Sequence, residues 1–323
     1  MTQVAHAAGE HVLPLLGAVE ERLAAIAAAY GEPLATHAGT TIAAGGKRLR
    51  PLLVLLAAGP PAGDAVAAAL VRAAVAVELV HSATLVHDDV LDDAPLRRGR
   101  PTVYATAGRA AATQAGDLLF SRAFAELAAG DDAEQVRVLS DAGSALARGE
   151  LVQRADAWAA DVALERYLHR CDLKTARLFQ AAAQLGARCA GAADHDVAAL
   201  GEFARRIGLA FQLLDDVLDV SGPAERTGKH RGTDLLDGTV TLPFILARER
   251  DPALAGLDPR SIRTPQQAEE VCDRIAATGA LDDARGQALE HVAQAKALLP
   301  DGLDDRRELA LLQVADSVVA RYS

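Results

Sequence analysis

Apolar residues in this chain recur at intervals of three and four over six long segments, near residues 11–30, 64–94, 105–129, 134–157, 161–190 and 194–221, while the strict alternation of half-buried strands is rare. Ala and Leu dominate these segments, and both are strong helix formers. The breaks coincide with clustered stop signals: Gly31-Glu32-Pro33, Gly59-Pro60-Pro61, Pro95, Gly130-Asp131-Asp132, Gly191 and Ser221-Gly222-Pro223. A polar, glycine-containing loop, ERTGKHRGTDLLDG, follows, and then helical patterns at about 240–250, 265–278, 280–299 and 304–321. The expectation is an all-α chain, residues 1–323 forming one domain of about ten helices.

Half of the 323 residues are apolar, enough for a large core. A net charge of -11 and only 3% aromatics leave no basic field for a phosphate backbone and little to stack bases, so nucleic acid is excluded as the expected partner. Cys171, Cys189 and Cys272 are scattered without CxxC or Cys/His spacing, which argues against disulfides and zinc and for a reducing cytosol. The opening MTQVAHAAGEHVLPLL lacks the basic flank and apolar run of a signal peptide. The apolar stretch 62–80 is interrupted by Asp64, Arg72 and Glu78, short of the roughly 20 unbroken residues of a spanning helix. It reads as a buried helix, and the chain as cytoplasmic without a stable membrane anchor.

Two acidic clusters defy local preference. In LVHDDVLDDAPLRRGRP, Asp88 and Asp92 share a helix face one turn apart, about 5–6 Å between Cβ atoms. Pro95 ends that helix near Ala94, so both carboxylates stand in the last turn, where the helix dipole favours cations. FQLLDDVLDV repeats the arrangement with Asp215, Asp216 and Asp219 just before Ser221-Gly222-Pro223. A single such motif is as easily a solvated helix end. Two copies inside otherwise apolar helices point to metal ligands. All-oxygen ligands suit Mg²⁺, Mn²⁺ or Ca²⁺, and helix-borne pairs favour Mg²⁺, which is typically completed by water and substrate phosphate oxygens.

A phosphate substrate requires further cations, and Lys47, Arg48 and Arg50 in GGKRLRP, the trio Arg97, Arg98 and Arg100, Lys174 beside Thr175, and Lys229 in TGKHRG supply them. Each alone reads as a surface charge. Their clustering beside the aspartates in an acidic chain carries the functional reading.

GGKRLRP, HSATLVHDDVLDDAPLRRGRPT, GELVQRAD, LKTARLF, FQLLDDVLDV and TGKHRGTDLLDGTVTLP, in that order, resemble the trans-isoprenyl diphosphate synthases, or polyprenyl synthetases. The matching segments run from about residue 45 to 250. The resemblance implies an all-α bundle around a deep central cavity, three Mg²⁺ ions, a homodimer, and head-to-tail joining of isopentenyl diphosphate to an allylic diphosphate. It implies Asp88, Asp92, Asp215 and Asp219 as metal ligands supported by Asp89 and Asp216. Lys47, Arg50, His81 and Arg98 would hold isopentenyl diphosphate, and Arg97, Lys174, Thr175, Gln212 and Lys229 the allylic diphosphate. One position departs from the family pattern: Thr239 stands where many members carry a lysine before the TLP segment. Glu150 and Gln153 in GELVQRAD read as a buried polar network.

The chemistry implied is ionisation of the allylic diphosphate, attack by the isopentenyl double bond, and loss of a proton, with metal ions and arginines stabilising the departing oxygens and apolar walls excluding water. On the helix before Asp88, Thr84, then Val80 or His81, then Val77 fall on one face, and each turn rises 5.4 Å, about one isoprene unit. Ala83 and Thr84 are small where short-chain members carry aromatic stops, so the product is expected to be C20 or longer. Phe120 and Phe124 are candidates for a floor, or ordinary core. Competing readings are a farnesyl or geranylgeranyl-only synthase, a terpene cyclase, which needs no second diphosphate site, a non-catalytic partner subunit, which would have lost one aspartate motif, and a catalytic chain with both motifs that depends on a partner subunit.

Overall fold

The computed structural model describes residues 2–43, 46, 48–222 and 231–320. Helices cover most of them, in chain order α1 (Thr2–Ala7), α2 (Val12–Ala28), α3 (Leu34–Ala43), α4 (Leu49–Ala58), α5 (Asp64–Leu91), α6 (Val103–Ala128), α7 (Ala133–Ala155), α8 (Leu164–Cys171), α9 (Arg177–Cys189), α10 (Asp194–Ser221), α11 (Thr233–Leu236), α12 (Leu242–Arg248), α13 (Pro252–Ala255), α14 (Pro265–Ala277), α15 (Ala280–Lys296) and α16 (Asp305–Ala320). The periodic segments became helices within a few residues of their expected bounds. Differences arise where periodicity has no purchase. α4, LRPLLVLLAA, is buried from Pro51 to Ala58, so it has no polar face to mark its period. A two-residue hairpin, β1 (Leu96–Arg97) with β2 (Arg100–Pro101), is too short to alternate. The segment at 161–190 is interrupted between α8 and α9 by a π-helical turn, Asp172–Ala176.

The chain forms two compact units. The first comprises Met1–Gly143, Leu178–Ala204 and Leu298–Val314. Its centre is α5, packed against α6, α4 and α2, with Leu70, Val77, Leu79 and Val80 fully buried. By length and hydropathy α5 could cross a membrane, but here it is a core helix that also buries Glu78 and Asp89. Two close approaches lock the unit. A Cβ on Gly186 of α9 would stand 2.0 Å from the Val54 carbonyl oxygen of α4, so only glycine lets these backbones meet. Arg307 of α16 donates to the carbonyls of Leu56 (3.1 Å) and Ala57, satisfying groups at the end of α4 that lack helical partners.

The second unit comprises Ser144–Arg177, Arg205–Ala297 and Ala315–Ser323. α12 packs against α13, α14, α15 and α8. α14 opens with a full capping box in which the Thr264 hydroxyl accepts from the Gln267 amide and the Gln267 side chain returns to the Thr264 N–H. Tyr167, with no exposed surface, is among its largest buried side chains.

Candidate active site

α5 ends at Leu91, three residues before the expected Ala94. Asp93 takes the left-handed conformation (φ 47°) and the Ala94 N–H reaches back to the Asp89 carbonyl at 3.0 Å, a Schellman-type closure. Its consequence is a division among the four aspartates. Asp88 is partly open and Asp92, at the cap, is exposed. Asp89 is only 6% exposed and accepts from Arg97 Nε at 2.7 Å. Asp93 is taken by Tyr104 Oη and by Arg109 Nη2 at 2.9 Å.

The hairpin after α5 turns through Arg98 (φ 54°) and Gly99 (φ 75°). Two successive positive φ values make the type I′ turn that suits a two-residue hairpin, and an arginine in its first place carries strain of the kind found at functional positions. The Arg98 guanidinium lies against Gly46, where an added Cβ would stand 3.1 Å from Nη1. Arg50 rests on the face of Phe179, 4.6 Å from the ring centre. His81, half-buried, has its pKa pushed well below the usual 6.5 by burial and then by the charges of Arg50, Arg98, Arg97 and Arg48. The structure therefore brings together in this unit Arg48 and Arg50 of GGKRLRP, His81, and Arg97 and Arg98 of RRGRP. Arg48 is spoken for within the protein, donating to Glu78 Oε1 at 2.6 Å, to both carboxylate oxygens of Glu20, and to the Ile42 carbonyl. Lys47 and Lys229 lie outside the described residues.

The second motif, on α10 in the other unit, shows the same division. Asp215 and Asp219 are partly open. Asp216 is 3% exposed and accepts from Tyr167 Oη at 2.6 Å and Gln212 Nε2 at 2.8 Å. Gln212 Oε1 in turn accepts from the Thr175 hydroxyl at 2.7 Å, so Thr175, Gln212 and Asp216 form one chain. Burial pushes the Asp216 carboxyl up to about 7, and the neighbouring Asp234 charge adds to the rise against its two hydrogen bonds. Asp234 was missed in the sequence because it belongs to neither motif. Its backbone N–H stands 3.3 Å from Asp219 Oδ2. Tyr167 gave no signal either, being one buried aromatic among several.

Lys174 and Thr175 stand on the π-helical turn, a local widening often associated with function. Lys174 Nζ donates to Glu150 Oε2, which makes Glu150 the partner of a site residue. Gly149 is the reason α7 can approach, since a Cβ there would be 2.7 Å from the Lys174 backbone nitrogen. Thr239 and Val240 follow the Gly238 turn, and Arg170 Nη2 donates to the Val240 carbonyl at 2.7 Å.

The expected ruler face of α5 is only partly open. His81, Thr84, Leu85 and Asp88 form an accessible stripe, whereas Val77, Val80 and Ala83 have no exposed surface. Thr84 Oγ1 donates to the His81 carbonyl at 2.7 Å. Phe120 stacks on His87, ring centres 5.7 Å apart, and Phe124 is half-buried beside α7 at Gly143.

Among the described residues no three His, Cys, Asp or Glu side chains converge as a protein-only metal cage. An open pair of carboxylates one turn apart, backed by a buried third that the protein holds, fits a hard cation that completes its shell with water and phosphate oxygens. An all-α chain with two such carboxylate sets, a cluster of arginines and a lysine on a π turn has the parts of a metal-assisted diphosphate enzyme.

Comparison with known proteins gives the class its family. The family model for polyprenyl synthetase matches residues 32–277. The chain is 42% identical over 303 residues to heptaprenyl diphosphate synthase component 2 of Geobacillus stearothermophilus, covering 92% of each chain. It is 35% identical over 284 residues to octaprenyl diphosphate synthase of Escherichia coli, covering 87% of each. Among solved structures, polyprenyl synthase of Caulobacter crescentus complexed with calcium and isoprenyl diphosphate is similar with a TM-score of 0.89 at 33% identity, covering 100% of this chain and 98% of that one. The chain belongs to the polyprenyl synthetase family and is a prenyltransferase, a trans-isoprenyl diphosphate synthase.

Proposed function

We propose that this enzyme condenses isopentenyl diphosphate head to tail with an allylic diphosphate, repeatedly, to an all-trans product of C20 or longer. The observation that carries the reading is the matching build of the two aspartate motifs, each with an accessible outer pair and a buried, protein-held middle carboxylate. The product range rests on the small residues Ala83 and Thr84 and on similarity to relatives named for geranylgeranyl, heptaprenyl and octaprenyl products.

In this mechanism Asp88 and Asp92 of the first motif and Asp215 and Asp219 of the second would hold Mg²⁺, three ions in all. Bound Mg²⁺ stabilises charge on the departing diphosphate and so lowers the barrier to breaking the allylic C–O bond. Asp89 and Asp216 support the outer carboxylates through the helices they share. Arg97, Lys174, Thr175, Gln212 and Lys229 would bind the allylic diphosphate, Arg97 being held by Asp89 and Lys174 by Glu150 in the free enzyme. Lys47, Arg50, His81 and Arg98 bind isopentenyl diphosphate, and burial, followed by the charges of the neighbouring arginines, holds the His81 pKa well below its usual value. The C–O bond breaks with its electron pair going to diphosphate. The isopentenyl double bond supplies the pair for the new C–C bond, and the proton lost in restoring the alkene goes to the released diphosphate.

The enzyme acts as a cytosolic homodimer whose apolar product gives it a reason to meet membranes. A second reading, a catalytic chain requiring a second component, is favoured by one observation: the similar Geobacillus protein is named as component 2. Purified chain, Mg²⁺, radiolabelled isopentenyl diphosphate and a series of allylic primers test both readings. Elongation by the chain alone supports the first. Elongation only with an added partner supports the second, and consumption of the allylic substrate without isopentenyl diphosphate overturns both.

A further inference from the structure

At the start of α4, Arg48 is committed inside the protein through all three nitrogens of its guanidinium. It takes a left-handed backbone conformation (φ 46°, ψ 40°) at the N-cap of α4. Such a conformation in a non-glycine residue persists only where its surroundings impose it. Here two carboxylates and a carbonyl impose it: Glu78 on α5 (2.6 Å), Glu20 on α2 (2.5 and 3.0 Å) and Ile42 on α3 (3.0 Å). The inner partner, Glu78, is 4% exposed and lies one turn before His81 on the same helix. Arg50, two residues beyond Arg48, sits over Phe179, and its charge reaches both His81 and Glu78.

Burying an ion pair is a poor way to gain stability, since apolar residues of the same volume do as well or better. What the pair supplies is a fixed register. It ties the start of α4 to the helix that carries His81 and the first aspartate motif.

Resting on the proposed isopentenyl diphosphate site, we infer that Glu78, acting through Arg48 and aided by Glu20, is a positioning residue that sets Arg50 against His81 for recognition of that one substrate. Arg48 then serves as the pin of the basic segment, and its positive charge is spent on Glu78 and Glu20 before any phosphate arrives.

The test measures KM for each substrate, kcat and thermal melting for Glu78→Gln, Glu20→Gln, Arg48→Met and the double variant Arg48→Met/Glu78→Gln. Glu78→Gln should raise KM for isopentenyl diphosphate about tenfold, the scale of one lost charged hydrogen bond, with the allylic KM within about twofold. The double variant, which leaves neither charge buried alone, should melt near the parent while KM for isopentenyl diphosphate stays high. Glu20→Gln, with its side chain half exposed, should fold normally and raise that KM a few-fold, so it carries the test if Glu78→Gln fails to fold. Parental KM in a normally melting double variant, or equal rises for both substrates, overturns the inference. Arg98→Ala separates it from the reading beneath: unchanged KM for isopentenyl diphosphate in that variant refutes the site itself, whereas a raised KM there with no effect of Glu78→Gln refutes the positioning role alone.

Discussion

Replacing Thr84 by Phe should shorten the product. Thr84 precedes Asp88 by four residues, about 6 Å of helix rise, close to one isoprene unit. It belongs to the accessible stripe of α5 with His81, Leu85 and Asp88, so an aromatic ring there is not forced into the packed core and stands one turn from Asp88. The substitution removes the hydrogen bond from Thr84 Oγ1 to the His81 carbonyl (2.7 Å), about 0.5–1.5 kcal/mol, too little to unfold the chain. The neighbouring Ala83 is the built-in control. It has no exposed surface, so Ala83→Phe has no space to enter and should cost about 1–3 kcal/mol by overpacking. Product mass after reaction with excess isopentenyl diphosphate, alongside melting curves, reads both effects. Thr84→Phe should keep its melting point within a few degrees and lose at least one isoprene unit from its dominant product. Ala83→Phe should melt lower. An unchanged product distribution from a fully active Thr84→Phe would refute the assignment of this stripe to the growing chain.

Asp88→Ala and Asp215→Ala should each abolish turnover with the fold intact, because Asp88 is an anion in the last turn of its helix and Asp215 is partly exposed; near-normal turnover in either sinks the metal assignment. Tyr167→Phe removes the 2.6 Å hydrogen bond to buried Asp216 and should cost about 1.5–3 kcal/mol in denaturant melts, lowering kcat as well; parental kcat and stability together would show the tyrosine to be passive. Burial pushes the thiols of Cys171 and Cys272 up to about 12 and that of Cys189 to about 11, so a thiol reagent at pH 8 should label none in the native enzyme and all three after denaturation. Since the folded pKa of His81 lies below 6.5, the unfolded chain binds its proton first, and stability falls as pH drops below that value, by up to about 1.4 kcal/mol per pH unit. His81→Gln should flatten the decline between pH 6.5 and 5 in chemical melts, and an identical slope would refute the lowered pKa of His81.

The all-α class, the long helices and both aspartate motifs were legible in the residues because each rests on a local rule: spacing sets which side chains share a helix face, and Gly and Pro mark where helices stop. The same rule separated Asp88 and Asp92 from Asp89 and Asp93. It could say nothing of what holds Asp89, because Arg97 reaches it only after the chain reverses through Arg98 and Gly99. α4 escaped notice because a helix buried on all sides has no polar face to give it a period. The π turn that carries Lys174 was hidden inside an unbroken helical pattern, and Gly149, which makes room for it, lies a full helix away in the chain.

By itself the sequence determined the helical class, the chemistry of the ligand atoms and the pairing of aspartates one turn apart. Tertiary structure alone decided how buried each charge is and what holds Arg48 and Asp216. Arg48, Arg50 and Arg98 are equivalent as text, yet only contact with Glu78 and Glu20 commits Arg48 to the scaffold. Asp216 differs from Asp215 only in the face it presents, and that face buries Asp216 against Tyr167 while Asp215 keeps part of its surface exposed. The reason is that desolvation and partner geometry depend on residues distant in the chain, which local periodicity does not encode.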